Sequence, residues 1–287
     1  GIRDVAVTGV QTCALPIFLL FAAFIFSAGW AWSLEAPDQW LPMFSRAGLG
    51  FTAFNALASS MYFINDTMDA AADRAHPRKR NRPIAAGRIS PALAVGSATV
   101  LAGVGLGLAW WLGTAFLLIA MAYVALSLTY SLVVKHLVIV DVLSVASGFG
   151  LRAVAGAIAI DVPISPWIFI VTMLGALLLV TVKRRQEVAL IAALAPMGER
   201  HRAVLDEHTP EFLDQIISVA TSATIVAYAM YVTTAQNVPS DHSMLATLPI
   251  VLYGLLRFRW IADRRPDHNV DELILRDRDR KSTRLNS

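Results

Sequence analysis

The chain is poor in cysteine and poor in charge. Its one cysteine, Cys13, excludes a disulfide framework and a cysteine-ligated metal centre. Charged residues fill 16% of its 287 positions and hydrophobic residues 56%, whereas a soluble domain averages about 25% charged. With a mean hydropathy of +0.58, that shortage excludes a disordered chain, a coiled coil and a water-soluble domain. Also missing are the alternating stretches, roughly ten residues long, that mark a transmembrane β-barrel. No soluble domain and no low-complexity linker interrupts the sequence. The net charge is only +3, and the basic residues are confined to particular loops. They read as membrane topology rather than nucleic-acid binding. The fold class expected is all-α, a polytopic transmembrane helical bundle.

What is present is a series of apolar runs about twenty residues long, the length that crosses a bilayer as a helix. Eight segments are expected, at 18–33, 47–66, 91–112, 114–134, 138–160, 166–184, 212–235 and 244–262. Lysine and arginine alternate between the connections. The 34–46 loop carries only Arg46, and the 67–90 loop carries Arg74, Arg78, Lys79, Arg80, Arg82 and Arg88. The turn near 113 and the loops at 161–165 and 236–243 carry none, while Lys135, the run from Lys183 to Arg202 and the C-terminal tail are basic. Basic loops face the cytoplasm, so the expected location is the inner (plasma) membrane with every charged cluster on its cytoplasmic side. Residues 1–17 (GIRDVAVTGVQTCALPI) and 281–287 (KSTRLNS) resemble translated sequencing adaptor. They are expected to be non-native, leaving one membrane-embedded domain over 18–280, truncated at both ends.

The second segment ends in Asn65-Asp66-Thr67-Met68-Asp69-Ala70-Ala71-Ala72-Asp73. Aspartates at i, i+3 and i+7 fall within about 60° of one another on a helix. Three carboxylates on one face repel unless a cation shares them, and oxygen ligands of this kind suit Mg²⁺ bridging to substrate phosphates. Pro77, Pro83 and Gly87 then break the helix and carry a basic loop over the acids. Lys79 and Arg82 are placed to grip phosphate oxygens.

The order Asn65, Asp66, Asp69, Asp73, His76, Pro77, Lys79, Arg82, Pro83, Ile84, Ala85, Gly87, Ile89, Ser90 resembles the signature of the UbiA superfamily of membrane prenyltransferases. That resemblance implies a helical bundle of nine helices around a cavity, Mg²⁺ on the aspartates, and a diphosphate substrate. Most members carry a second aspartate-rich motif after the sixth helix, where this chain reads Lys183-Arg184-Arg185-Gln186-Glu187. Three cations and one acid cannot make a second carboxylate cluster, but they suit an anion. The substitution is similar to the branch of the superfamily that transfers a 5-phosphoribosyl group from phosphoribosyl diphosphate to decaprenyl phosphate. Other stretches are similar to it too: Tyr130-Ser131, Lys135-His136, Asp141-Val142, the run from Gly148 to Gly156 around Arg152, His201-Arg202, Phe212 to Gln215, and Asp271 to Asp277. Members usually open with a basic Arg-Pro and Gln-Trp stretch, which is replaced here.

The function this implies is Mg²⁺-dependent phosphoribosyl transfer to a polyprenyl (decaprenyl) phosphate in cell-wall arabinan precursor synthesis. The alternative is transfer of a prenyl group from a prenyl diphosphate to an aromatic or glycerol-phosphate acceptor. A non-enzymatic lipid-phosphate binder or transporter is the third class. The expected partners are the two substrates and the lipid bilayer, with homo-oligomerisation left open. The expected catalytic residues are Asp66, Asp69, Asp73, Arg82, Lys135 and Arg152, with the three aspartates also holding the metal. The expected substrate contacts are Asn65, Lys79, Tyr130, Asp141, Lys183, Arg184, Arg185 and Glu187. Arg152 sits near mid-membrane depth, where an unpaired charge is costly, so it must face a cavity or a partner. Asp141 is placed to pair with Lys135 or to bind metal or ribose. Trp110, Trp111 and Trp167 read as interface anchors, and Gly103, Gly105 and Gly107 as helix packing rather than a phosphate loop. His136 and His201 lack metal-ligand companions at useful spacing.

Overall fold

A computed structural model describes residues 18–29, 31–75, 79–134, 137, 139–194, 209–235, 238, 241 and 243–264. Their regular elements are all helical, with no strand among the described residues. The helices are α1 (Ala22–Phe26), α2 (Pro37–Met68), α3 (Ala70–Ala75), α4 (Pro91–Leu112), α5 (Thr114–Leu132), α6 (Val140–Ala159), α7 (Pro166–Leu194), α8 (Pro210–Thr234) and α9 (Leu248–Arg264). Among the described residues, seven helical stretches are long and apolar enough to cross a membrane. Local chemistry sets their starts. Pro91 follows Ser90, whose hydroxyl accepts from Leu93 N, and Pro210 follows Thr209, whose hydroxyl accepts from Phe212 N. A hydroxyl cap with proline at the first helical position satisfies or removes the donors a helix start leaves open.

Three boundaries differ from the sequence reading. The segment expected at 18–33 is a 3₁₀ turn (Phe18–Phe21) followed by the five-residue α1. Helix ends at Ser27, where the Trp32 indole folds back, donating to Phe24 O at 2.9 Å and stacking on the Phe24 ring. The loop expected at 34–46 is helical from Pro37. Pro37 and Asp38 are a helix-start signal, masked to an apolar count by Gln39, Pro42 and Arg46. Finally, α7 runs on to Leu194, because Glu187-Val188-Ala189-Leu190-Ile191-Ala192-Ala193-Leu194 is rich in good helix formers. The Lys183–Glu187 run therefore lies within a helix rather than in a loop.

The described residues form two compact units. One comprises residues up to 134 and 148–164, the other 137, 139–147 and those from 165 on. In the first unit α2 packs most extensively on α4 and also on α5. Its core gathers Leu20, Phe54, Leu57, Phe116 and Tyr123 with Ala47, Ala53, Ala109, Ala120, Ala155 and Ala159. Small residues let membrane helices approach closely. A Cβ on Gly105 would lie 2.7 Å from the Leu57 side chain and 2.9 Å from Ala53 O, so α4 touches α2 there at backbone distance. Gly103 and Gly107 face open space instead. The buried Ser60 hydroxyl donates to Ala98 O across the same contact at 2.8 Å. Arg46 donates to Ala159 O at 2.6 Å and to Leu112 O at 3.3 Å. It thus puts one cation on the carbonyl-rich ends of α6 and α4, where the helix dipole favours it. Trp110 and Trp111 are exposed at the end of α4, as anchors at a membrane boundary would be.

In the second unit α7 lies along α8, and α9 joins them through Leu178, Val182, Ile217, Ala220 and Ala262.

Candidate active site

The acidic stretch closes the end of α2 in the first unit. The helix reaches Met68, Asp69 takes the turn, and α3 resumes at Ala70. Asp69 N still donates to Asn65 O at 2.9 Å and Asp73 N to Asp69 O at 2.8 Å. The ladder survives the break, so Asp66 and Asp73 stay on one side. Both are met by one atom. Arg82 Nη1 donates to Asp66 Oδ1 at 2.8 Å and to Asp73 Oδ2 at 2.9 Å. Asp73 is buried, while the Asp66 side chain is 23% and the Arg82 side chain 36% exposed. Beside Asp66, Asn65 Oδ1 is buried with no hydrogen-bond partner among the described residues.

The loop that delivers Arg82 is fixed beneath it. Arg82 N donates to Lys79 O, Ala86 N to Arg82 O, and Arg88 N and Ile89 N both to Pro83 O. Gly87 supplies the left-handed conformation (φ +72°) that the reversal needs. Ile84 and Ala85 are buried, and Ile84 packs with Ala70 and Ala94. Arg74 Nε holds Ala85 O at 3.1 Å.

No three carboxylate, imidazole or thiolate groups among the described residues stand close enough to hold a metal alone. Mg²⁺ does not require three. It keeps several waters and takes one or two carboxylates plus substrate phosphates. Two converging carboxylates and the orphaned Asn65 acceptor fit such a hydrated ion.

Deeper in the first unit, Arg152 is only 7% exposed. Its Nη2 donates to Tyr123 OH at 2.9 Å. Its guanidinium carbon lies 5.0 Å from the Tyr123 ring centroid and 5.3 Å from that of Phe149. Its Nε is buried without a partner among the described residues. The buried cation is thus answered by aromatic faces and a phenol, contacts worth up to about 2 kcal/mol when desolvated.

In the second unit, Arg184 Nη2 donates to Asp141 Oδ2 at 2.7 Å and its Nη1 to Glu187 at 3.2 Å. Asp141 is 2% exposed. One turn of α7 therefore places Arg184 and Glu187 together, and the start of α6 supplies their buried partner. Arg185 belongs to a separate network with Asp214 (2.7 Å) and Asp263 (3.6 Å). Arg259 holds both of those acids at 3.1 Å. Lys183 is exposed.

The family model described as the UbiA prenyltransferase family matches residues 19–275. The chain belongs to the UbiA prenyltransferase family. Among its curated relatives, a decaprenyl-phosphate phosphoribosyltransferase from Mycolicibacterium smegmatis is 39% identical over 188 residues, 65% of this chain and 58% of that protein. The chain thus spans less than two thirds of that relative. One of the same name from Mycobacterium tuberculosis is 30% identical over 240 residues, covering 84% of this chain and 78% of that protein. The solved structure of a UbiA homologue from Archaeoglobus fulgidus bound to GPP and Mg²⁺ matches with a TM-score of 0.67 and 19% identity. It covers 90% of this chain and 87% of that one. At that identity the likeness is one of fold.

For this UbiA-family chain, the residues singled out from sequence now have positions. Asn65, Asp66, Asp73 and Arg82 come together, and Asp69 and Lys79 lie in the same stretch, half-buried. Asp141, Arg184 and Glu187 form one cluster, while Arg185 goes to another. Tyr130 is half-buried near the end of α5. Lys135, His76, Pro77, Arg78, His136, His201 and Arg202 lie outside the described residues, as do 271–277. Sequence reasoning missed Tyr123 and Phe149 around Arg152, and Arg259 and Asp263 around Arg185. Only the general rule that a buried arginine needs company pointed toward them.

Proposed function

We propose that the chain transfers a 5-phosphoribosyl group from phosphoribosyl diphosphate to a polyprenyl phosphate such as decaprenyl phosphate, using Mg²⁺ at the cytoplasmic side of the inner membrane. The reading rests on the carboxylate pair Asp66 and Asp73 converging on one cationic atom under a basic loop, a site built for a polyanion and its counter-ions. The names of the curated relatives support this donor. So does the second unit, in which Asp141, Glu187, Asp214 and Asp263 each face a guanidinium. A second metal-binding acid cluster, which a prenyl diphosphate enzyme of the ordinary type uses, has no counterpart among the described residues there.

In this reading Asp66 and Asp73, with Asp69, would hold the ion, and Asn65 would accept a hydrogen bond from its water shell. Bound Mg²⁺ supplies positive charge to the leaving diphosphate. Arg82 and Lys79 take phosphate oxygens by charge-assisted hydrogen bonds. A phosphate oxygen of the lipid attacks C1 of the ribose. The C1–O bond to diphosphate breaks, and diphosphate leaves with the electron pair. The acceptor is largely dianionic at neutral pH, since its second pKa is about 6, so no general base is needed. Lys183, unlike its two arginine neighbours, meets no carboxylate among the described residues, and we assign it to a substrate phosphate. Arg184 and Arg185 position that turn of α7 through their acids. Arg152 and Tyr130 serve the substrate cavity, and the product enters arabinan precursor synthesis.

The test is a transfer assay in membranes with labelled phosphoribosyl diphosphate and decaprenyl phosphate, with Mg²⁺ and with chelator. A labelled lipid formed only with the metal is expected. Turnover of a prenyl diphosphate on an aromatic acid instead would sink the reading. Asp66→Asn should cut transfer at least about 100-fold while leaving polyprenyl phosphate binding intact. A pure lipid-phosphate binder shows no transfer in any variant.

A further inference from the structure

Arg82 meets its two acids in an unusual way. An arginine that serves only as a salt-bridge partner commonly offers a carboxylate two nitrogens in a fork. Here a single nitrogen, Nη1, stands between one oxygen of Asp66 and one of Asp73, at 2.8 and 2.9 Å. That is where a shared cation would stand. We propose that Arg82 is an internal counter-cation. Without a divalent ion it neutralises Asp66 and Asp73. When the ion binds, the guanidinium is displaced and turns to the phosphate oxygens of the diphosphate substrate. The inference rests on the reading that these carboxylates hold a divalent cation, and adds that Arg82 competes with that cation.

Four observations carry it. Asp73 is 4% exposed, and a buried carboxylate cannot stand uncompensated. Something positive must be present whether or not the metal is. The Arg82 side chain is 36% exposed, so water can take up its guanidinium when it turns away from the acids. An ion of charge +2 at the same point has twice the Coulomb attraction. Next, the backbone around Arg82 is tied by hydrogen bonds at Lys79, Pro83 and Ala86 and by the buried Ile84 and Ala85. Displacement is therefore a side-chain rotation, and the loop stays in place. Last, Arg82 leaves Asn65 Oδ1 without a donor among the described residues, an acceptor that a hydrated divalent ion can satisfy through its water. Metal and diphosphate binding are coupled as a result, because the ion releases the group that grips the phosphate.

The experiment is a Mn²⁺ titration read by electron paramagnetic resonance on the full chain in detergent, without substrate. Wild type, Arg82→Gln, Arg82→Lys and Asp66→Asn are compared, with thermal unfolding to establish that each is folded. Removing a competitor should tighten Mn²⁺ binding by Arg82→Gln up to about fivefold, with Arg82→Lys between it and wild type. At saturating Mn²⁺, inorganic diphosphate should bind Arg82→Gln about tenfold more weakly than wild type. Unchanged or weaker Mn²⁺ binding by a folded Arg82→Gln overturns the counter-cation. Equal Mn²⁺ binding by wild type and Asp66→Asn, or none by either, overturns instead the underlying metal assignment.

Discussion

Arg184 and Lys183 are neighbours in sequence with opposite surroundings. Arg184 donates to Asp141, which is 2% exposed. Lys183 is exposed. Removing a cation that a buried carboxylate holds costs about 3 kcal/mol, whereas an exposed lysine contributes within about 0.5 kcal/mol. Arg184→Ala should therefore lower the melting temperature in detergent markedly. Lys183→Ala should leave it unchanged, yet raise the concentration of polyprenyl phosphate or phosphoribosyl diphosphate needed for half-maximal transfer. Equal losses of stability in both would remove the distinction drawn between positioning and contact. Arg152 makes the same point in another setting, since its charge is met by Tyr123 and Phe149 rather than by an acid.

Among elements, the contact of α2 with α4 organises the first unit. It holds Asp66 at the end of one helix over a loop whose far end, Ser90, caps the other. Gly105 permits the approach. Its Cβ would meet Leu57 and the Ala53 carbonyl inside 3 Å, and overpacking of this kind costs about 1–3 kcal/mol. Gly103 has nothing within 4 Å of a Cβ, so alanine there removes only glycine's helix penalty, a gain of about 0.5–1 kcal/mol. Thermal unfolding should show Gly105→Ala destabilised and Gly103→Ala unchanged or slightly more stable. Matching shifts would mean that the helices do not meet at Gly105.

For the whole molecule, the alternation of basic and uncharged connections makes a topological prediction. Cys13 is the only cysteine, so a Cys13→Ser background reports single introduced cysteines cleanly. A cysteine replacing Arg80, in the loop over the carboxylates, should react with an impermeant maleimide from the cytoplasmic side only. One replacing Asp161, in the exposed turn after α6, should react from the opposite side only. Reaction of both from one side would overturn the assigned orientation.

Fold class, seven of the eight apolar segments and the run from Asn65 to Ser90 were legible in sequence because they rest on local quantities: hydropathy over a span, and helical spacing of like charges. Those quantities act wherever the chain goes. The start of α2 at Pro37 and the extension of α7 to Leu194 were missed because apolar counting discards helical residues that are polar. The partners of charge were decided by tertiary structure alone. Nothing in the sequence says that Arg82 reaches back 16 residues to Asp66, or that Arg184 crosses 43 residues to Asp141. Nor does it single out Gly105, rather than its neighbours, as the point where two backbones touch. Burial makes an unmatched charge costly, and only packing determines which charges are buried and what lies within reach of each.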